Sequence, residues 1–181
     1  MSRIAVPTRE GAPADSQPIL DAVNKQFGVV PNLFRLAAVS PATLSGLASL
    51  DAALSKTLDV KTRARIAIAT AQVNGCDYCM SAHTYLGVNL AKISPEEIAL
   101  NRKGGSGDQK ADAAVRFAAQ VAQKRGKVSD AELAAVRVAG FNDAQIVEIV
   151  GLVAQNFLTN LLNNVAQTDI DFPVVRTSEA A

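Results

Sequence analysis

Apolar positions recur at three- and four-residue spacing through most of the chain, and polar caps or glycines interrupt them at helix length. Asp15 and Ser16 precede "QPILDAVNKQF" and Gly28 follows it, which predicts a first helix. A short helical piece is predicted over 31–39. Ser40-Pro41 opens "ATLSGLASLDAALSK", where Leu44, Leu47 and Leu54 form a stripe. The segment "VKTRARIAIATAQVNG" reads two ways. Ile66 and Ile68 alternate with alanines as in a short strand, but the alanine content, the length and the closing Gly75 favour a helix. After a break at Asn74-Gly75, "CDYCMSAHTYLG" restarts as a helix ending at Gly87. "SPEE" (94–97) and "SDAE" (129–132) are predicted capping boxes, and "NRKGGSGDQ" is the most loop-like stretch. A helix is predicted over 108–125, closed by Gly126, and the helix after Ser129 ends at Gly140.

The last predicted helix starts near Asn142 and is apolar round more than one face. Ile146, Ile149, Val153, Phe157, Leu161 and Val165 are joined by Val150, Leu152, Leu158 and Leu162. Such a helix is either central in its own domain or shared with a second subunit. In the shared case Asn156, Asn160, Asn163 and Asn164 cap or bridge at the interface; otherwise they line a solvated end. No repeat or linker divides the chain. The prediction is a single all-α domain over 1–181, with 1–14 and 174–181 as flexible or extended tails and a disordered end.

Composition narrows the function classes. Hydrophobic residues make up 49% and charged residues 19% of 181 residues, a globular balance with enough chain for one core. A net charge of +1 gives no general pull toward nucleic acid or anionic lipid. Aromatics at 4%, with no tryptophan, leave few base-stacking platforms. "MSRIAVPTRE" lacks a secretory apolar run, and no stretch approaches the roughly 20 apolar residues of a membrane span. The expectation is a soluble, cytoplasmic protein with neither nucleic acid nor membrane as partner. There a close cysteine pair points to catalysis or metal binding rather than a structural staple.

Both cysteines, Cys76 and Cys79, and the only histidine, His83, fall within "NGCDYCMSAHTYLG". A structural zinc site takes four ligands, and a catalytic one takes three plus water. The cluster supplies three, the chain holds no other cysteine or histidine, and a carboxylate or a second subunit would have to complete the set, so neither metal nor cofactor is assigned. Core packing is the plain alternative, since free cysteine is often buried. Three such residues within eight positions suit thiol redox chemistry better. Cysteines three apart at a helix start can close a disulfide with little backbone movement. The helix N-terminus lowers a thiol pKa, an argument that taken alone selects Cys76. Cys79 and His83, four apart, share a helical face and can exchange a proton. This constellation suits a thiol peroxidase. One thiolate attacks the O–O bond and becomes a sulfenic acid, the other condenses with it to a disulfide, and an external dithiol resets the pair. Asp77 is read as solvated. Lys61, Arg63 and Arg65 either raise the local potential or form a solvated face, and exposure favours the latter.

The residues resemble a known family. "NGCDYCMSAHTYLG" looks like the signature of the alkylhydroperoxidase D-like proteins, within the carboxymuconolactone decarboxylase superfamily. "GVVPNLFRLAAVSP" and "NNVAQTDIDFPVV" extend the likeness to residues 28–175. The resemblance implies an all-α domain that oligomerises through packed helices, as a trimer or hexamer, with peroxidase activity. It implies Cys79 as the peroxidatic cysteine, Cys76 as the resolving one and His83 in the proton relay. A hydroperoxide is the implied substrate, and a dithiol protein or small thiol the implied reductant. The family pattern also places a glutamate after an arginine in the preceding helix; here Ala64 follows Arg63, and no Asp or Glu lies between Val60 and Cys76. A weakened peroxidase is therefore expected. The alternatives are a non-redox enzyme like the superfamily's decarboxylase branch, or a redox sensor with little turnover.

Overall fold

The computed structural model describes residues 2–178, which form helices and, among the described residues, no strand. The order is α1 (Gln17–Phe27), α2 (Asn32–Ala37), α3 (Pro41–Leu54), α4 (Val60–Val73), α5 (Asp77–Asn89), α6 (Pro95–Arg102), α7 (Gln109–Lys124), α8 (Asp130–Val138) and α9 (Asp143–Ala166). A single 3-10 turn, Ala14–Ser16, precedes α1.

Helix α4 is the axis of the assembly and packs on α5, α6, α7 and α9. Its start is fixed by Asp59, whose carboxylate accepts from the Thr62 N–H at 3.0 Å and the Thr62 hydroxyl at 2.6 Å. The strand-like alternation of Ile66 and Ile68 has a helical explanation. Two residues apart on a helix means opposite-leaning faces, and the two side chains enter different cores. Ile66 joins Phe117, Val121, Ile149 and Val153. Ile68 joins Cys76, Cys79, Met80 and Ile98. Alanines on α4 and at Ala114, Ala118 and Ala122 of α7 are buried, and their small side chains let the two helices approach closely. A third cluster, around Leu20, Leu44 and Leu47, closes α1 to α3.

The capping boxes at Ser129 and Asn142 form reciprocally with Glu132 and Gln145. The one expected at Ser94 forms only by half. Ser94 accepts from the Glu97 N–H at 3.3 Å, but the Glu97 carboxylate turns away. It accepts from the Gly107 N–H at 2.8 Å and pairs with Arg65 at 2.9 Å, because the glycine-rich loop and a half-buried guanidinium need it more than the cap does.

Helix α9 corrects one sequence expectation. By length and composition alone it is long and apolar enough to cross a membrane. One side of it packs on α4, α7 and α3, while Val147, Leu161 and Val165 stay exposed on the other.

The segments outside the helices are tied down. Arg3 donates its N–H to the Ala166 carbonyl at 2.6 Å, and Ser2 donates to Asp169 at 3.1 Å. The C-terminal segment lies as an extended strap over α5: the Val175 N–H donates to Ser81 Oγ at 2.9 Å and the Thr177 N–H to Asp77 at 2.8 Å. Residues 179–181, where disorder was expected, lie outside the described residues, as does residue 1.

Candidate active site

Gly75, at φ +60°, turns the chain between α4 and α5, a left-handed conformation that glycine adopts without strain. The next residue, Cys76, is the N-cap of α5, and its sulfur accepts the Cys79 N–H at 3.3 Å. Both thiols are reduced and buried, at 0% and 2% exposure. They ionise unequally. The hydrogen bond from Cys76 holds the Cys79 thiol below its ordinary range despite burial, with Asn163, Asn160 and Thr159 adding in the same direction. The same Cys76–Cys79 bond, reinforced by burial, pushes Cys76 far up. Of the two thiols, Cys79 is the more acidic. The helix-dipole argument had selected the other sulfur. A shared proton and desolvation act against it at Cys76.

His83 lies half-buried on α5, one turn beyond Cys79. Burial lowers its pKa to about 4, with Asn156 acting in the opposite sense, so the imidazole is neutral near neutral pH. Among the described residues no direct hydrogen bond joins it to either thiol. The two groups meet instead as lining of one cavity.

That cavity has a volume of about 380 Å³. Phe27 and Phe34 come from α1 and α2, Tyr78 and Tyr85 from α5, and Phe172 from the C-terminal strap. Tyr78 and Phe172 meet edge to face at 5.9 Å, and the Tyr78 hydroxyl accepts the Leu33 N–H at 3.0 Å. Cys79, His83, Asn156 and Thr159 also border it. Among the described residues its one lining carboxylate is Asp51, which accepts from Gln155 at 2.7 Å, and no lysine or arginine lines it.

Several sequence readings change here. Ala64 packs against the cluster holding Cys76 and Cys79, so its position does face the site, with no carboxylate on it. Asp77 is not free in solvent: it receives Thr177 and Arg176, the latter at 3.0 Å, and anchors the strap. Arg65 is paired with Glu97, and Arg63 donates to the Leu58 carbonyl, so neither guanidinium is a freely solvated charge. Asn164 is exposed and donates to the Asn74 carbonyl at 3.1 Å, but Asn156, Asn160 and Asn163 do not line a solvated end. They are buried at 7%, 0% and 2% exposure and turn toward His83 and Cys79. Their i, i+4, i+7 spacing, with Thr159 between, marks a single polar face on an apolar helix, and that was the signal available in the sequence. Among the described residues no three His, Cys, Asp or Glu side chains converge as metal ligands.

Residues 41–124 match the carboxymuconolactone decarboxylase family. Over this stretch the helical core is similar to that family. The match spans α3 to α7 and includes Cys76, Cys79 and His83; α9 with its asparagines lies outside it. Among solved structures, the alkylhydroperoxidase AhpD core of an uncharacterized peroxidase-related protein from Ralstonia eutropha JMP134 is similar at 26% identity and TM-score 0.83, over 94% of this chain and 92% of that one. An uncharacterized peroxidase-related protein from Silicibacter sp. TM1040 shares the fold at 21% identity and TM-score 0.80, over 93% and 91%. A cysteine-to-alanine variant of the debrominase Bmp8, in complex with 2,3,4-tribromopyrrole, shares it at 16% identity and TM-score 0.77, over 93% and 91%. No functionally curated protein sequence matches the chain. The all-α, alkylhydroperoxidase D-like fold expected from the sequence is the fold shared with these structures.

Proposed function

We propose that the protein is a thiol-dependent peroxidase for uncharged organic hydroperoxides, cycling through a Cys76–Cys79 disulfide. The observation that carries the reading is geometric: Cys79 borders the aromatic-walled cavity, and Cys76 sits beside it with its sulfur accepting the Cys79 N–H at 3.3 Å. The Cys79 thiolate attacks the terminal peroxide oxygen, the O–O bond breaks, and the alkoxide leaves. His83 takes the Cys79 proton across the cavity and returns it to the alkoxide, giving an alcohol. The Cys76 sulfur then attacks the sulfenic acid; an S–S bond forms, and its proton leaves with the hydroxyl as water. The sum is two thiols and one hydroperoxide to a disulfide, an alcohol and water. A dithiol in a reducing cytoplasm restores the pair. The apolar wall suits a bulky organic tail, and the lack of a lining cation disfavours an anionic one. The same lack speaks against decarboxylation of a lactone bearing carboxylates.

The exposed side of α9 carries Leu161 and Val165, which form an apolar groove with Ile4, Leu36 and Val39; we assign it to a second copy of the chain. Steady-state consumption of cumene hydroperoxide with dithiothreitol, lost in Cys79→Ser, tests the peroxidase reading.

A second reading is favoured by the aromatic wall itself. A thiolate beside such a cavity could reduce a halogenated arene, turning aryl bromide and two thiols into arene, disulfide and hydrogen bromide. The likeness to the debrominase shows only the fold. Bromide release from 2,3,4-tribromopyrrole, without peroxide consumption, would select this reading.

A further inference from the structure

We propose that Asn163 and Asn160 are catalytic residues: their side-chain amides form a donor cradle that holds the Cys79 thiolate. The inference rests on Cys79 being the attacking thiol. Asn163 Nδ2 donates to the Cys79 sulfur at 3.3 Å in a buried contact. Asn160 Oδ1 accepts from Asn74 Nδ2 at 2.8 Å, which fixes the amide's orientation. Its Nδ2 is left buried without any hydrogen-bond partner, close enough to Cys79 to favour the thiolate there. Thr159 lies next to the same sulfur and on the cavity wall.

A buried N–H aimed at sulfur is costly when nothing there accepts it, and an anion repays it best. Amides cannot take a proton at neutral pH, so the cradle is no general base. It acts on the sulfur itself, by stabilising the thiolate that remains once His83 has taken the proton. Asn74, at the end of α4, is a positioning residue, since it acts only through Asn160. The donors sit on α9, outside the family match, so one part of the fold supplies the sulfur and another its charge. The titratable groups near Cys79 are Cys76, Tyr78, whose hydroxyl is held by Leu33, and His83 across the cavity.

The test uses Cys76→Ser, so that one thiol reports, and follows the rate of iodoacetamide alkylation against pH. Asn163→Ala and Asn160→Ala are each expected to slow alkylation near neutral pH about tenfold while leaving the alkaline plateau unchanged, because a lost donor raises the thiol pKa. A merely structural role would not recover at high pH. Profiles superimposed on the parent's, in variants with its circular dichroism, overturn the proposal. Should a variant not fold, the unmutated protein decides: the Asn160 and Asn163 side-chain amide resonances should move with the thiol titration, and fixed resonances overturn the proposal. No peroxide is used, so the outcome stands apart from the peroxidase reading.

Discussion

The Cys79 N–H donates to the Cys76 sulfur at 3.3 Å, so one thiol caps the helix that carries the other. The bond places both sulfurs at one helix start and makes their roles separable. Cys76→Ser keeps a capping oxygen and should cost less than about 1 kcal/mol of stability. It should stop the reaction at a sulfenic acid on Cys79 that dimedone traps. Cys79→Ser should yield no adduct. An adduct on Cys76 instead would reverse the assignment.

Ala64→Glu restores a carboxylate where the chain faces the thiol cluster. A general base is worth about 10²–10⁴-fold, so kcat/KM for cumene hydroperoxide should rise, by about 10²-fold if the group ionises there. An unchanged kcat/KM in a folded variant would mean that the site runs without a base.

His83 gives a pH signature. Its folded pKa of about 4 lies below the usual 6.5, so the unfolded chain binds this proton more tightly. The stability tied to the neutral imidazole is therefore full above about pH 6.5 and is lost as pH falls toward 4. As the only histidine, His83 can be followed directly by its imidazole resonance. Urea unfolding of the parent and of His83→Asn should diverge over that window. Parallel curves, or an imidazole titrating near pH 6.5, would show that the ring is solvated.

Asp77 holds the strap. Burial pushes its pKa up, but hydrogen bonds from Thr177 and Arg176 outweigh this and hold the carboxyl below its usual range. The strap's share of stability is thus present above the ordinary carboxylate range and falls away as pH drops through the folded value. Asp77→Ala should cost about 1–3 kcal/mol and expose the C-terminal segment to protease. Because Phe172 on the strap walls the cavity, KM should rise more than kcat falls. Unchanged proteolysis would contradict the anchoring role.

Leu161→Asp, on the outer side of α9, should shift light-scattering mass to the monomer if a second copy covers that side. A monomeric parent would remove the assignment.

The helices were legible because each carries local punctuation: Asp59, Ser129 and Asn142 cap their starts, and Gly28, Gly126 and Gly140 follow their ends. The cysteine–histidine cluster was legible for the same reason, being contiguous. What remained hidden is non-local. Nothing near Asn163 in sequence announces that its partner is a sulfur 84 positions away. Phe172 and Phe27, at opposite ends of the chain, reveal a shared cavity only once folded. Glu97 fits a capping box by spacing, yet a loop and a guanidinium from elsewhere take its oxygens.

The most direct test of the central claim is a single turnover. The protein is fully reduced, freed of reductant and mixed with excess cumene hydroperoxide, while peroxide and free thiols are followed together. The account predicts that each chain consumes one hydroperoxide and loses both thiols, yielding a Cys76–Cys79 disulfide. Thiols that stay free while the peroxide persists would contradict it.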